Sequence, residues 1–183
     1  MVVATQTLAV NVGCGEFPLD GWLNCDEIGY EGVDLICHIP PMPFESGSVD
    51  DLYAGHMLEH LNQRDAGLFL EEAMRVLRPG GRLGVLVPDT REILRRWLLQ
   101  TGDVVECPQG TFWQMNDLDD VCGMFIYSTY QPSRHLWSYD ASTLRRLIER
   151  HGFEVTGPID RQRDPRIFVG AWWQMGFNAV KPC

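Results

Sequence analysis

Three short apolar segments, Leu8–Val12, Trp22–Asp26 and Val33–Cys37, crowd into the start of the chain. About nine residues separate the first two and about six the next two, whereas a parallel crossover that carries a helix needs roughly 10–12 or more. Each segment has the length and character of a buried strand, and the first stops at the glycine turn Gly13-Cys14-Gly15. If these strands lie parallel in one sheet, the helices between them must be vestigial or absent.

The rest of the chain has room for full crossovers. The proline turn Pro40–Pro43 precedes a fourth strand over Val49–Ala54. Ala66, Phe69, Leu70, Ala73 and Leu77 recur at helical spacing behind an Asn62 cap, with Asp65 in the first turn and Pro79-Gly80-Gly81 as the stop. Arg82–Val87 is the next buried strand. Asp89 or Thr90 then caps a second helix, predicted to turn Ile93, Leu94, Trp97 and Leu98 inward and to end at Gly102. A third helix runs from Asp140 to Gly152 with Leu144, Leu147 and Ile148 inward, and Phe153–Gly157 and Ile167–Trp173 read as the last strands. Strands alternating with helices predict an α/β domain with a mainly parallel sheet, taken as one unit over residues 1–183.

Residues 103–134 show neither period and read as a binding cap, rich in aromatics such as Trp113 and Tyr127. Asp117, Asp119 and Asp120 within it read as a solvated loop.

Charge narrows the partners. Lys and Arg total 15 against 25 Asp and Glu, a formal net charge of −10. Nucleic acid and anionic membrane surfaces both call for basic patches, so neither is expected as a partner. No uncharged apolar run reaches the roughly 20 residues of a membrane span, and the first residues lack a basic leader, which predicts a cytosolic protein. The six cysteines include no C-x-x-C pair and are expected as free thiols, without a metal site. Oligomeric state is not legible.

A glycine turn after a buried strand lets backbone approach a ligand closely. Here Gly13-Cys14-Gly15 lacks the third glycine of a dinucleotide fingerprint, which weakens a nicotinamide-dependent oxidoreductase reading. Asp26 ends the second strand, where a carboxylate can accept from ribose hydroxyls. The succession NVGCG, WLNCD, PMPFESGSVDDLY, HMLEHL and RVLRPGGRL resembles the class I S-adenosylmethionine-dependent methyltransferases, over roughly residues 8 to 89. HLWSYDASTLRRLIERHGFEV, residues 135–155, is similar to the distal segment of their small branch.

The resemblance implies a Rossmann-like methyltransferase sheet whose last strand is antiparallel, with S-adenosylmethionine as cofactor at the carboxyl ends of the first strands. Gly13, Cys14 and Gly15 would then face its methionine moiety, Asp26 its ribose, His38 and Ile39 its adenine, and His56 its sulfonium. Two positions depart from the family: Asn11 and His38 stand where acidic residues are common. The short crossovers imply a site unusually open on that side.

Glu59 and His60 are adjacent, and a His beside a carboxylate can take a proton near neutral pH. His135, in the distal segment, is the third candidate for catalysis. Residues 103–134 would cover a small-molecule, sugar or protein acceptor. The alternative is a non-catalytic cofactor-binding or partner subunit that retains a degenerate form of the fold.

Overall fold

The connections that follow the first two strands carry no helix. A computed structural model of the chain describes residues 7–99, 104–107, 110–114, 135–159, 164, 166–167 and 171–183. Strands β1 (Ala9–Val12), β2 (Leu23–Asp26) and β3 (Leu35–Ile36) are joined by residues 13–22 and 27–34, all irregular. β4 (Val49–Gly55) leads through a 3-10 turn (Leu58–His60) into α1 (Gln63–Val76), and β5 (Leu77–Pro88) into α2 (Thr90–Leu98). A hairpin of β6 (Val104–Cys107) and β7 (Gly110–Gln114) follows, then α3 (Ala141–Arg150), β8 (Glu154–Pro158) and β9 (Gln174–Val180).

Seven strands form one sheet in the order β3-β2-β1-β4-β5-β9-β8. β1 to β5 pair in parallel, and the last strand, β9, runs antiparallel to both β5 and β8. The predicted α/β class, the antiparallel last strand and the curtailed early crossovers all stand. Among the described residues no helix is long and apolar enough to cross a membrane.

Side chains alternate across the sheet, so its two faces have different chemistry. One face carries Val10, Val12, Cys25, Leu52, Ala54, Leu83, Val85, Val87 and Ala179, all buried. α1 packs on it through Ala66, Phe69, Leu70, Ala73 and Val76, and α3 through Leu144, Leu147 and Ile148. The other face carries Asn24, Asn11, Tyr53, Gly84 and Asn178, aligned strand by strand across the sheet. Its buried apolar cover comes from Leu19 and Ile159, outside any helix.

Asn11 and Asn24 hold down the loop that stands in for the first crossover helix. Asn11 Nδ2 donates to Asn24 Oδ1 at 2.9 Å and to the Phe17 carbonyl at 3.2 Å. Asn24 accepts from the Leu19 amide at 2.8 Å and donates to the Leu19 and Trp22 carbonyls, each at 3.2 Å. A loop whose polar groups find such partners can lie against a sheet without exposing that sheet to water. The residue that departs from the family at position 11 thus has a local structural task.

The helix starts follow their predicted caps. Asn62 accepts from the Arg64 and Asp65 amides, Asp89 from Glu92, and Asp140 from Thr143 in a capping box. Four expectations need correction. The last strand is Gln174–Val180, where the polar and small residues Gln174, Gly176 and Asn178 fall on the face opposite Met175, Phe177 and Ala179. Of the strand predicted over Ile167–Trp173, residues 167 and 171–173 are in no strand, and residues 168–170 lie outside the described residues. Leu77 opens β5 instead of closing α1. In α2 only Ile93 is buried, while Leu94 and Leu98 are 37% and 70% exposed and Trp97 is half-buried, since so short a helix meets the body along one turn. β3 keeps only two of the five residues expected for it.

Candidate functional site

The carboxyl ends of β1, β2 and β4 place most of the predicted residues along one edge of the sheet. Gly13 and Gly15 both have positive φ, +63° and +53°, a region that L side chains rarely adopt. They differ in surroundings: a side chain at Gly13 would collide with Met57, whereas Gly15 has nothing within 4 Å of its missing Cβ. The Gly15 amide donates to Asp26 Oδ2 at 2.8 Å, and Asp26 Oδ1 accepts from the Ile28 amide at 2.9 Å. Asp26 therefore ties the glycine turn to β2, and each of its oxygens keeps acceptor capacity for a further partner.

Cys14 turns its thiol inward. It is 1% exposed, and burial together with the neighbouring Asp26 carboxylate pushes it up to about 11, so it stays protonated. Its amide donates to the Cys25 carbonyl and its own carbonyl accepts from Phe17. His38 stands out in solvent 3.4 Å from Glu27, and Ile39 beside it is partly buried.

His56 follows β4 in a strained left-handed conformation, φ +54°. Its Nδ1 donates to Glu59 Oε1 at 3.0 Å, and its Nε2 lies 2.7 Å from Gln174 Oε1. Gln174 Nε2 donates to the Arg166 carbonyl, which fixes the amide with its oxygen toward His56. Both ring nitrogens thus face side-chain oxygens. The ring also packs on Trp173, with centroids 5.2 Å apart.

Glu59 is 1% exposed. Burial alone would raise its carboxyl, but the His56 hydrogen bond and the nearby His56, His60 and His135 rings outweigh that and hold it at about 2. Its Oε2 has no hydrogen-bond partner. The Glu59 carbonyl accepts from the Leu136 and Trp137 amides at 2.7 and 3.1 Å, and this pins the distal segment to the 3-10 turn. As a result the rings of His60 and His135 meet edge to face, 4.8 Å between centroids. Ligand atoms of Glu59, His60 and His135 all lie within 4.8 Å of one another, close enough to share a proton or one cation. Candidates 75 positions apart in the chain are therefore neighbours in the fold.

Asp89 has a different use. Besides capping α2, its amide donates to the Trp173 carbonyl at 2.7 Å, and it forms a parallel bridge with Tyr139. Asp50 and Asp51 pair with Arg78 and Arg82 at the entry of β4, away from the carboxyl edge. Of residues 103–134, read as a cap, the described part is the β6–β7 hairpin, and the rest lies outside the described residues. Gln174, Trp173 and Tyr139 were not among the sequence candidates. Gln174 had one available signal, as a polar break in an otherwise apolar stretch.

Comparison with known proteins bears on this edge. Residues 22–85 match the family model for a methyltransferase domain. A chain in the complex between the Haloferax volcanii Trm112 methyltransferase activator and a methyltransferase superposes with a TM-score of 0.59 at 14% identity, covering 100% of this chain and 86% of that one. An S-adenosylmethionine-dependent methyltransferase from Thermotoga maritima gives 0.58 at 15% identity, over 98% and 84%. The 1,6-didemethyltoxoflavin-N1-methyltransferase of Burkholderia thailandensis, with bound 1,6-didemethyltoxoflavin and S-adenosylhomocysteine, gives 0.58 at 13%, over 97% and 72%.

The sheet order is that of a Rossmann-like methyltransferase fold, and the family match places a methyltransferase-domain resemblance on residues 22–85. The cofactor that fits a methyltransferase domain of this kind is S-adenosylmethionine. The residues present fit that group at Gly15, which faces open space, and at Asp26, which has acceptor capacity to spare. At Gly13 the chain's own Met57 occupies the space over the turn.

Proposed function

We propose that this protein moves the methyl group of S-adenosylmethionine to a nucleophilic oxygen, nitrogen or carbon of a small-molecule, sugar or protein acceptor. When bound, the cofactor supplies a methyl already activated on a sulfonium, so the chain's work is largely alignment and exclusion of water. The backbone of the Gly13–Gly15 turn, the Asp26 carboxylate and the backbone at Ile39 hold the cofactor. His38, exposed beside Glu27, adds little through its side chain. His60 takes the acceptor proton, with Glu59 and His135 setting its charge and orientation. His56 has no such role, because both its nitrogens are engaged.

One observation supports the reading most. Met57 lies against Gly13, and the residues on either side of it, His56 and Leu58–His60, lead into the proton-handling cluster. The cofactor turn and the cluster are thus joined by direct contact. The test is turnover of an acceptor panel by His60→Ala. A fall in kcat of about 10²–10⁴ with unchanged cofactor KM, and no effect of a chelator, is the expected result. An unchanged rate across pH would remove His60 as the base.

A second reading, a cofactor-binding or partner subunit without turnover, draws on the solvent-exposed His38. Tight calorimetric binding of S-adenosylmethionine with no methylated product from any acceptor would favour it.

A further inference from the structure

A cavity of about 210 Å³ lies between the start of α1 and the face of α3. Gln63, Trp137, Tyr139, Thr143, Arg146 and Arg150 line it. A small cleft lined by Glu59, His135 and Thr90 shares Trp137 and Tyr139 with it, so the cavity continues the catalytic edge.

The charges of this cavity run against those of the whole protein. With a net charge of −10, the average field repels anions. Yet Arg146 and Arg150, one turn apart on α3, have no carboxylate partner among the described residues, while Arg145 beside them pairs with Glu149 and lies over Phe177. Two like charges at this spacing disfavour the helix unless an anion sits between them. A second observation points the same way. Tyr139 is 3% exposed, lines the cavity, and its hydroxyl has no hydrogen-bond partner. An orphaned buried hydroxyl costs stability, and a ligand acceptor would remove that cost.

We infer that this cavity is an oxyanion subsite, which receives a carboxylate or phosphate group of the methyl acceptor. Arg146 and Arg150 bind the charge and the Tyr139 hydroxyl donates a hydrogen bond to it. The half-exposed Trp137 indole offers a flat wall to the body of the ligand. Calling the ligand the acceptor rests on the methyltransferase reading; the anion site itself does not.

Calorimetric titration at constant ionic strength, without cofactor, tests it, with inorganic phosphate in one arm and benzoate in the other. Saturable binding of at least one by the wild-type chain is expected, and which one binds tells phosphate from carboxylate. Arg146→Gln/Arg150→Gln should bind at least about tenfold more weakly. Tyr139→Phe should bind several-fold more weakly while its melting temperature stays level or rises, which a purely structural tyrosine would not do. Arg64→Gln, on the exposed face of α1, should bind as the wild type does. No binding of either anion, equal binding by the double variant, or equal weakening by Arg64→Gln overturns the assignment. S-adenosylhomocysteine is titrated into the same preparations. If it fails to bind where an anion does, the methyltransferase reading falls and the anion site stands.

Discussion

The two faces of the sheet solve the same problem with opposite chemistry. On one, α1 and α3 bury Phe69, Leu70 and Ile148 against apolar strand residues, and the gain is non-directional. On the other, the described cover lies outside any helix and is held by hydrogen bonds. Asn11 and Asn24 hold residues 17–22, and a buried Asp164–Arg166 pair, 2.6 Å apart, sits on Tyr53, whose hydroxyl donates to Asp164 at 2.7 Å. A sheet can thus dispense with crossover helices if each loop polar group finds a partner in the strands. The site lies where the two covers meet. His56 is tied to Glu59 from the helical side and, through Gln174, to Arg166 from the loop side.

The largest effects should come from one substitution on each face. Arg166→Met leaves Asp164 buried and unpaired and should cost about 3–5 kcal/mol in a denaturant titration. Phe69→Ala should cost a similar amount, about 3–5 kcal/mol, by opening a cavity. Acid separates the two. Burial works to raise the Asp164 carboxyl, but Arg166 and Tyr53 outweigh it and hold the group below its ordinary 3.8. Stability from this pair is therefore complete above 3.8 and lost as pH falls through the lower folded value. The Arg166→Met penalty should shrink as pH falls below 3.8, and that of Phe69→Ala should not. Equal pH dependence would break the distinction between the faces.

Asn24→Ala, which orphans the Leu19 amide and Asn11, should cost less, about 1–3 kcal/mol, and loosen residues 17–22 in hydrogen exchange. Leu98→Ser, on the outer side of α2, should change stability by no more than about 0.5 kcal/mol. A large loss there would mean that α2 is packed against something its described contacts do not include.

The same contrast explains what could be read from residues alone. The helical face announces itself through periodicity: α1, α3 and their caps, and the strands with Val10, Val12 and Leu52, follow from apolar spacing. The loop face has no period to read. The seat of the Asp164–Arg166 pair on Tyr53, and Gln174 as the partner of His56, arise from contacts between residues far apart in sequence. At the candidate site, the glycine turn, Asp26, Glu59, His60 and His135 could be named as candidates from the sequence, but that Glu59, His60 and His135 come together in the fold could not be read there. Nor could it be read that Met57 fills the space over Gly13, since nothing in a sequence tells which side chain crosses a turn.

A crystal structure with S-adenosylhomocysteine tests the central claim most directly. The account predicts density along the carboxyl edge of β1 and β2, with ribose hydroxyls on Asp26, contact at Gly15 and Ile39, and Met57 displaced from Gly13. Density elsewhere, or a ligand that leaves Asp26 untouched, would contradict it.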